Sequence, residues 1–140
     1  MSSRALSRLV WSALALLALG TLLTARLLRP EASGHGTHVA LGLPPCGFLL
    51  WSGLPCPACG LTTAFAQLAH GELMLSLSAN PLGLPLFACA LCGAPLAMLY
   101  ALRAVPVLAV IERLRADRVA LCLAGALLLS WATRLAALGF

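Results

Sequence analysis

PLGLPLFACALCGAPLAMLYAL, residues 81–102, is a run of 22 positions without one charged side chain. An α-helix rises about 1.5 Å per residue, and the hydrocarbon core of a bilayer is about 30 Å thick. About 20 apolar residues therefore cross it, and Pro81–Leu102 is long enough. Two more stretches qualify. Leu9–Leu28 is interrupted only by Arg26, and Val119–Leu138 only by Arg134. Each arginine lies near the end of its run, where the guanidinium is expected to snorkel to the headgroups while its stem stays apolar. The composition agrees: 61% of the 140 residues are hydrophobic and 9% charged, against about 25% charged in soluble domains. The expected fold is all-α: a helical integral membrane protein with about three transmembrane helices, plus short interfacial or re-entrant helices around a cysteine-rich turn.

Residues 1–140 read as one membrane domain: span 1 at 9–28, a cysteine-containing loop at 30–80, span 2 at 81–102, a basic loop at 103–118 and span 3 at 119–138. Arg4 and Arg8 resemble the basic start of a signal peptide. The long apolar run and the lack of a small-x-small site after it favour an uncleaved anchor. All nine basic residues are arginine. Arg4, Arg8, Arg103, Arg113, Arg115 and Arg118 flank one side of the spans, and Arg26, Arg29 and Arg134 the other. By the positive-inside rule the N-terminus and the 103–118 loop are expected to be cytoplasmic, in a multi-pass protein of the cell (inner) membrane. The net charge of +5 then suits anionic headgroups. Basic runs interleaved with stacking aromatics are absent, which argues against nucleic acid. Trp11 and Trp131 fall near span ends and are expected to anchor at the headgroup boundary.

The loop has its own organisation. Pro30–Pro45 is a polar linker. Leu61–Ala69 is helical, with Thr62 or Thr63 as N-cap and Gly71 as its stop. Glu72–Ala79 is a second short helix, acidic at its start, and Asn80-Pro81 opens the second span with proline in the tolerated first turn. Both short helices are too apolar for a solvated loop and are expected in the interface or dipping into the membrane. Pro106–Ala116 reads as a helix on the membrane surface.

Between linker and helices lies CGFLLWSGLPCPACG, residues 46–60. Proline fixes φ and glycine permits positive φ, so a tight pre-shaped turn rather than a helix is expected here. Such a turn brings Cys56 and Cys59 close enough for one metal ion or one disulfide, with Cys46 ten residues upstream. A zinc site needs a fourth ligand, for which His70 is the first candidate and His35 and His38 are alternatives. Cys89 and Cys92, spaced i, i+3 within a span, are poorly placed for a disulfide and read as packing residues, as does Cys122.

The run from Cys46 to Pro81 resembles the family known as domain of unknown function 2752, small bacterial polytopic membrane proteins. The matching residues are Cys46, Ser52-Gly53, Cys56-Pro57-Ala58-Cys59-Gly60, Thr62, Ala64, Gly71-Glu72 and Asn80-Pro81, and the flanking spans match in number and placement. The family usually has arginine where Thr63 stands. If that arginine binds an anion or pairs with a carboxylate, this chain has lost the contact. The resemblance itself implies no biochemical activity.

Three roles fit these residues. The first in order is a structural or assembly component, in which the Cys-Pro-Ala-Cys-Gly knot fixes a re-entrant segment for a partner complex of other membrane proteins or further copies. The second is a metal-binding membrane module, with zinc held by Cys46, Cys56 and Cys59 and His70. The third is a membrane thiol–disulfide protein, which needs a thiolate favoured by a cation or a helix N-terminus. Without a Ser-His-Asp set or paired carboxylates, hydrolysis is poorly supported.

Overall fold

Residues 2–137 are described by a computed structural model, and among them are seven α-helices, one short 3-10 helix and no strand. The helices are α1 (Ser3–Leu27), α2 (Gly47–Ser52), α3 (Leu61–Ala69), α4 (Leu73–Ala79), α5 (Gly83–Arg103), α6 (Val107–Leu114) and α7 (Ala116–Ala137), with the 3-10 turn at Thr37–Leu41. Three of them, α1, α5 and α7, are long and apolar enough to cross a membrane. At about 1.5 Å per residue they measure roughly 31–38 Å, at or slightly beyond the hydrocarbon thickness. The expected end of the third span, Leu138, lies outside the described residues.

Helices α1 and α5 pack along each other. Their buried positions are all small: Ser7, Ala15 and Ala25 on α1, and Gly83, Ala94, Ala97 and Ala101 on α5. Lipid chains are as apolar as leucine, so membrane helices gain from close van der Waals approach, which small side chains allow. The leucines point outward instead: Leu16, Leu91, Leu102 and Leu121 are all exposed, as lipid-facing side chains are. Trp11 does not simply anchor at the headgroups. Its Nε1 donates to the carbonyl of Val105 at 2.8 Å, and its ring meets Tyr100 edge-on at 5.0 Å, tying α1 to the end of α5.

At the other end of this pair, α3 packs against α1, α5, α4 and the 3-10 turn. Its crossing with α5 depends on Gly83: a Cβ there would come within 2.5 Å of the Ala64 Cβ. Thr63 is wholly buried, and its hydroxyl shares a 2.8 Å hydrogen bond with that of Thr37, which also accepts from the Glu31 amide at 3.0 Å. The polar linker is thereby pinned to α3. The expected threonine N-cap is corrected: Gly60, at φ 82°, caps α3 and Thr63 faces the core. Gly71, at φ 85°, turns the chain after α3 as expected.

Two further expectations change. Residues 47–52 form helix α2 rather than a turn. The run GFLLWS has no proline, and its one glycine, Gly47, stands at its first position; Pro45 lies before its Cys46 cap, and Gly53, at φ 71°, ends it in the left-handed conformation glycine accepts. Cys89, Cys92 and Cys122 are exposed on the long helices. The alanines, which are smaller, have taken the packed faces.

Among the described residues, α6 is the only helix whose backbone runs close to α7. The third span is joined to the rest of the protein by side chains at its far end, and these reach the cysteine loop.

Candidate functional site

Cys46 caps the N-terminus of α2. Cys56 and Cys59 sit in the turn that follows, which is closed by the Cys59 amide donating to the Cys56 carbonyl at 3.0 Å. Pro55 and Pro57 restrict the backbone on either side of Cys56, and Gly60 supplies the positive φ with which the chain enters α3. Gly60 also has no room for a side chain: a Cβ would meet the Ala79 carbonyl oxygen and lie 2.9 Å from that of Gly34. The consequence of this folding is that the Sγ atoms of Cys46, Cys56 and Cys59 all lie within 4.8 Å of one another. All three are free thiols.

Asn80 holds the turn from below. It is fully buried, and its Nδ2 donates to the carbonyls of Cys59 at 3.1 Å and Pro57 at 3.4 Å, while its Oδ1 accepts from the Leu82 amide at 3.1 Å. One asparagine thus ends α4, starts α5 and supports the cysteine turn. Arg134 holds the same turn from the side. Its guanidinium donates to Pro57 O at 2.7 Å and Cys59 O at 2.8 Å, with a longer contact to Ala79 O at 3.5 Å. Three residues earlier, Trp131 Nε1 donates to Pro55 O at 2.7 Å and the indole meets Phe48 of α2 edge-on. The expectations of snorkelling for Arg134 and headgroup anchoring for Trp131 are therefore corrected. Carbonyls freed by the irregular turn, which lie within the protein, are better partners than water farther away.

The thiols differ in character. Cys46 is lowered from the ordinary thiol range, chiefly by the Leu49 amide at the start of α2, with the Cys59 and Cys56 thiols and the Phe48 amide adding to this against the effect of burial. Cys59 is pushed up to about 12 by burial, reinforced by its neighbours Cys56 and Cys46. One sulfur thus gives up its proton more readily than an ordinary thiol, and another holds it more tightly unless a cation replaces it.

His70 is not among the groups gathered at the sulfurs. Its Nδ1 lies 2.8 Å from Ala66 O and its Nε2 3.1 Å from the Arg26 guanidinium, so both ring nitrogens are engaged elsewhere. His35 and His38 line a cavity of about 600 Å³ that also touches all three cysteines, Thr62 and Thr63. His38 Nε2 faces Pro44 O at 3.2 Å. Of the other residues in the motif, Pro57, Gly60 and Asn80 build the turn. Glu72 is exposed and precedes α4 without capping it by its side chain, and Gly53 and Gly71 serve as helix stops. Pro81 follows the Asn80 side-chain turn into α5.

Reasoning from sequence missed Arg134 and Trp131. The available signal was the arginine itself: an ionisable side chain within a span is a functional candidate by default. No curated protein and no solved structure matches the chain. Residues 46–94, from the first of the three clustered cysteines through the first half of α5, match the model of the family described as protein of unknown function (DUF2752).

Proposed function

We propose that the protein is a membrane module that binds one thiophilic metal ion, zinc being the first candidate, through Cys46, Cys56 and Cys59, and that the ion closes the loop joining the third span to the other two. The observation carrying this reading is the convergence of three sulfurs within 4.8 Å. Zinc–sulfur bonds of about 2.3 Å in tetrahedral geometry separate sulfurs by about 3.8 Å, so closure of no more than about 1 Å per pair suffices. A disulfide would use two sulfurs and leave the third without a role. The guanidinium of Arg134 beside the turn offsets the surplus negative charge of three thiolates around a divalent ion. The fourth position is taken by water or by an imidazole from the adjoining cavity. The structural role remains part of this reading, because an ion that joins α2 to the turn before α3 fixes the carbonyls on which α7 rests.

The thiol–disulfide alternative is favoured by one feature, the lowered Cys46 thiol beside the buried Cys59. Metal analysis and intact mass on the purified protein separate the two. One ion per chain, lost on Cys46→Ser, Cys56→Ser or Cys59→Ser but retained on Cys89→Ser, is expected. A metal-free protein lighter by two hydrogens under non-reducing conditions would replace the metal reading with the redox one. Orientation follows from charge: Arg4, Arg8 and the 103–118 loop lie at the cytoplasmic face, and the thiol site lies at the opposite face of the bilayer.

A further inference from the structure

The contacts that hold α7 are unevenly distributed. Among the described residues no other long helix lies beside its backbone, and the only neighbouring helix is α6, which directly precedes it. Its shorter remaining attachments are Trp131 to Pro55 O, Trp131 against Phe48, and Arg134 to Pro57 O and Cys59 O. All four of these partners lie in the segment from Cys46 to Cys59, and a longer contact, Arg134 to Ala79 O at 3.5 Å, reaches the end of α4. The carbonyls that Arg134 grips belong to the residue after Cys56 and to Cys59 itself, and Asn80 donates to the same two oxygens.

We propose that Arg134 is a positioning residue for the three-thiol site, and that seating of the third span and binding of an ion by Cys46, Cys56 and Cys59 are one linked equilibrium. The inference rests on the metal reading for its ion but on the hydrogen bonds for its geometry. A guanidinium has the planar fork that engages two carbonyls at once; an ammonium meets one, and a neutral amide cannot supply the charge-assisted bonds. Groups that orient metal ligands without touching the metal typically change affinity 10- to 100-fold when removed. Linkage is reciprocal: if seating α7 tightens ion binding, the ion must seat α7 by the same factor.

The test uses the full chain in nanodiscs with Zn²⁺ as the probe, competed against a chromophoric chelator. Arg134→Gln should weaken zinc binding 10- to 100-fold, Trp131→Phe by less, and Arg134→Lys should fall between parent and Arg134→Gln. Spin labels at Leu17 and Leu121, both exposed, report the distance from α1 to α7. Zinc should narrow that distance distribution in the parent and leave it broad in Arg134→Gln. Unchanged zinc affinity in Arg134→Gln, or a parent distribution that zinc does not alter, overturns the proposal. If the parent binds no zinc, the metal reading fails and the positioning role is decided by alkylation alone. Faster modification of Cys56 and Cys59 in Arg134→Gln, with Cys122 unchanged, supports it, and equal rates overturn it.

Discussion

Replacing Gly60 by alanine should damage this fold more than the same change at Gly53, although both glycines adopt left-handed backbone, at φ 82° and 71°. The conformational penalty is shared. An L-residue in this region costs about 1–2 kcal/mol, and the loss of unfolded-state freedom, worth about 0.4–1 kcal/mol in the other direction, applies to both. The surroundings differ. Around Gly53 a new methyl group meets nothing within 4 Å. At Gly60 it meets the Ala79 carbonyl oxygen and lies 2.9 Å from Gly34 O and 3.1 Å from the Ala79 carbonyl carbon. These are backbone atoms and cannot rotate away, so the α3 start must separate from the α4 end. That separation strains the Asn80 bonds to Cys59 and Pro57 on the neighbouring residue. Overpacking of this kind adds about 1–3 kcal/mol. Gly60→Ala should therefore lose about 1–3 kcal/mol more than Gly53→Ala. Unfolding in mixed micelles with increasing dodecyl sulfate, followed by tryptophan fluorescence, measures both variants against the parent. Equal losses would refute the close approach of Gly60 to Ala79 and, with it, the packing that places the cysteine turn.

Four further outcomes are expected. Cys56→Ser and Cys59→Ser should lower the yield of folded, zinc-loaded protein more than Cys89→Ser, Cys92→Ser or Cys122→Ser, whose parent thiols are exposed on the spans, as size-exclusion chromatography and metal analysis would show; His70→Ala should leave zinc affinity within about twofold of the parent, since removing bonds to Ala66 and Arg26 touches no proposed ligand. The Cys59 thiol, raised to about 12, keeps its proton in the folded protein where an unfolded thiol, at about 8.5, loses it. Its contribution to metal-free stability is therefore complete below about pH 8.5 and is lost as pH rises toward 12; thermal melting should fall between about pH 7.5 and 10 in the parent, and less so in Cys59→Ala, while zinc affinity rises because binding must displace that proton. Finally, in a background lacking native cysteines, a cysteine at Ser33 should react with an impermeant maleimide from the outside and one at Ala116 only after the inner side is opened; the reverse pattern would invert the assigned orientation.

The cysteine site divides cleanly between what is local and what is not. The spacing from Cys56 to Cys59, with Pro55 and Pro57 on either side of Cys56 and Gly60 after Cys59, already specifies a turn, because φ restrictions act within the residue itself. Helix α3, Leu61–Ala69, was legible to the residue for a similar reason: an apolar helical run bounded by Gly60 and Gly71. Helix α2 was not, since its six residues are too few to show a period and the nearby prolines and glycines dominated the reading. The ranking of histidines had no distance information behind it. His70 follows the right helix, but the α3–α1 packing turns it toward Arg26.

By itself, the sequence determined that three segments are long and apolar enough to span a bilayer, and that a proline- and glycine-bounded cysteine turn stands before the second. Length, hydropathy and backbone restriction are properties of contiguous residues, so no tertiary knowledge is needed to read them. Only the tertiary structure decided that the three sulfurs lie within 4.8 Å of one another, that Asn80 and Arg134 hold the same two carbonyls, and that the third span meets the others through this turn. Arg134 lies 75 positions from Cys59 in the chain, and nothing periodic connects them. What joins them is a backbone that cannot complete its hydrogen bonds within a helix and, inside the protein, must find its donors wherever the fold brings them.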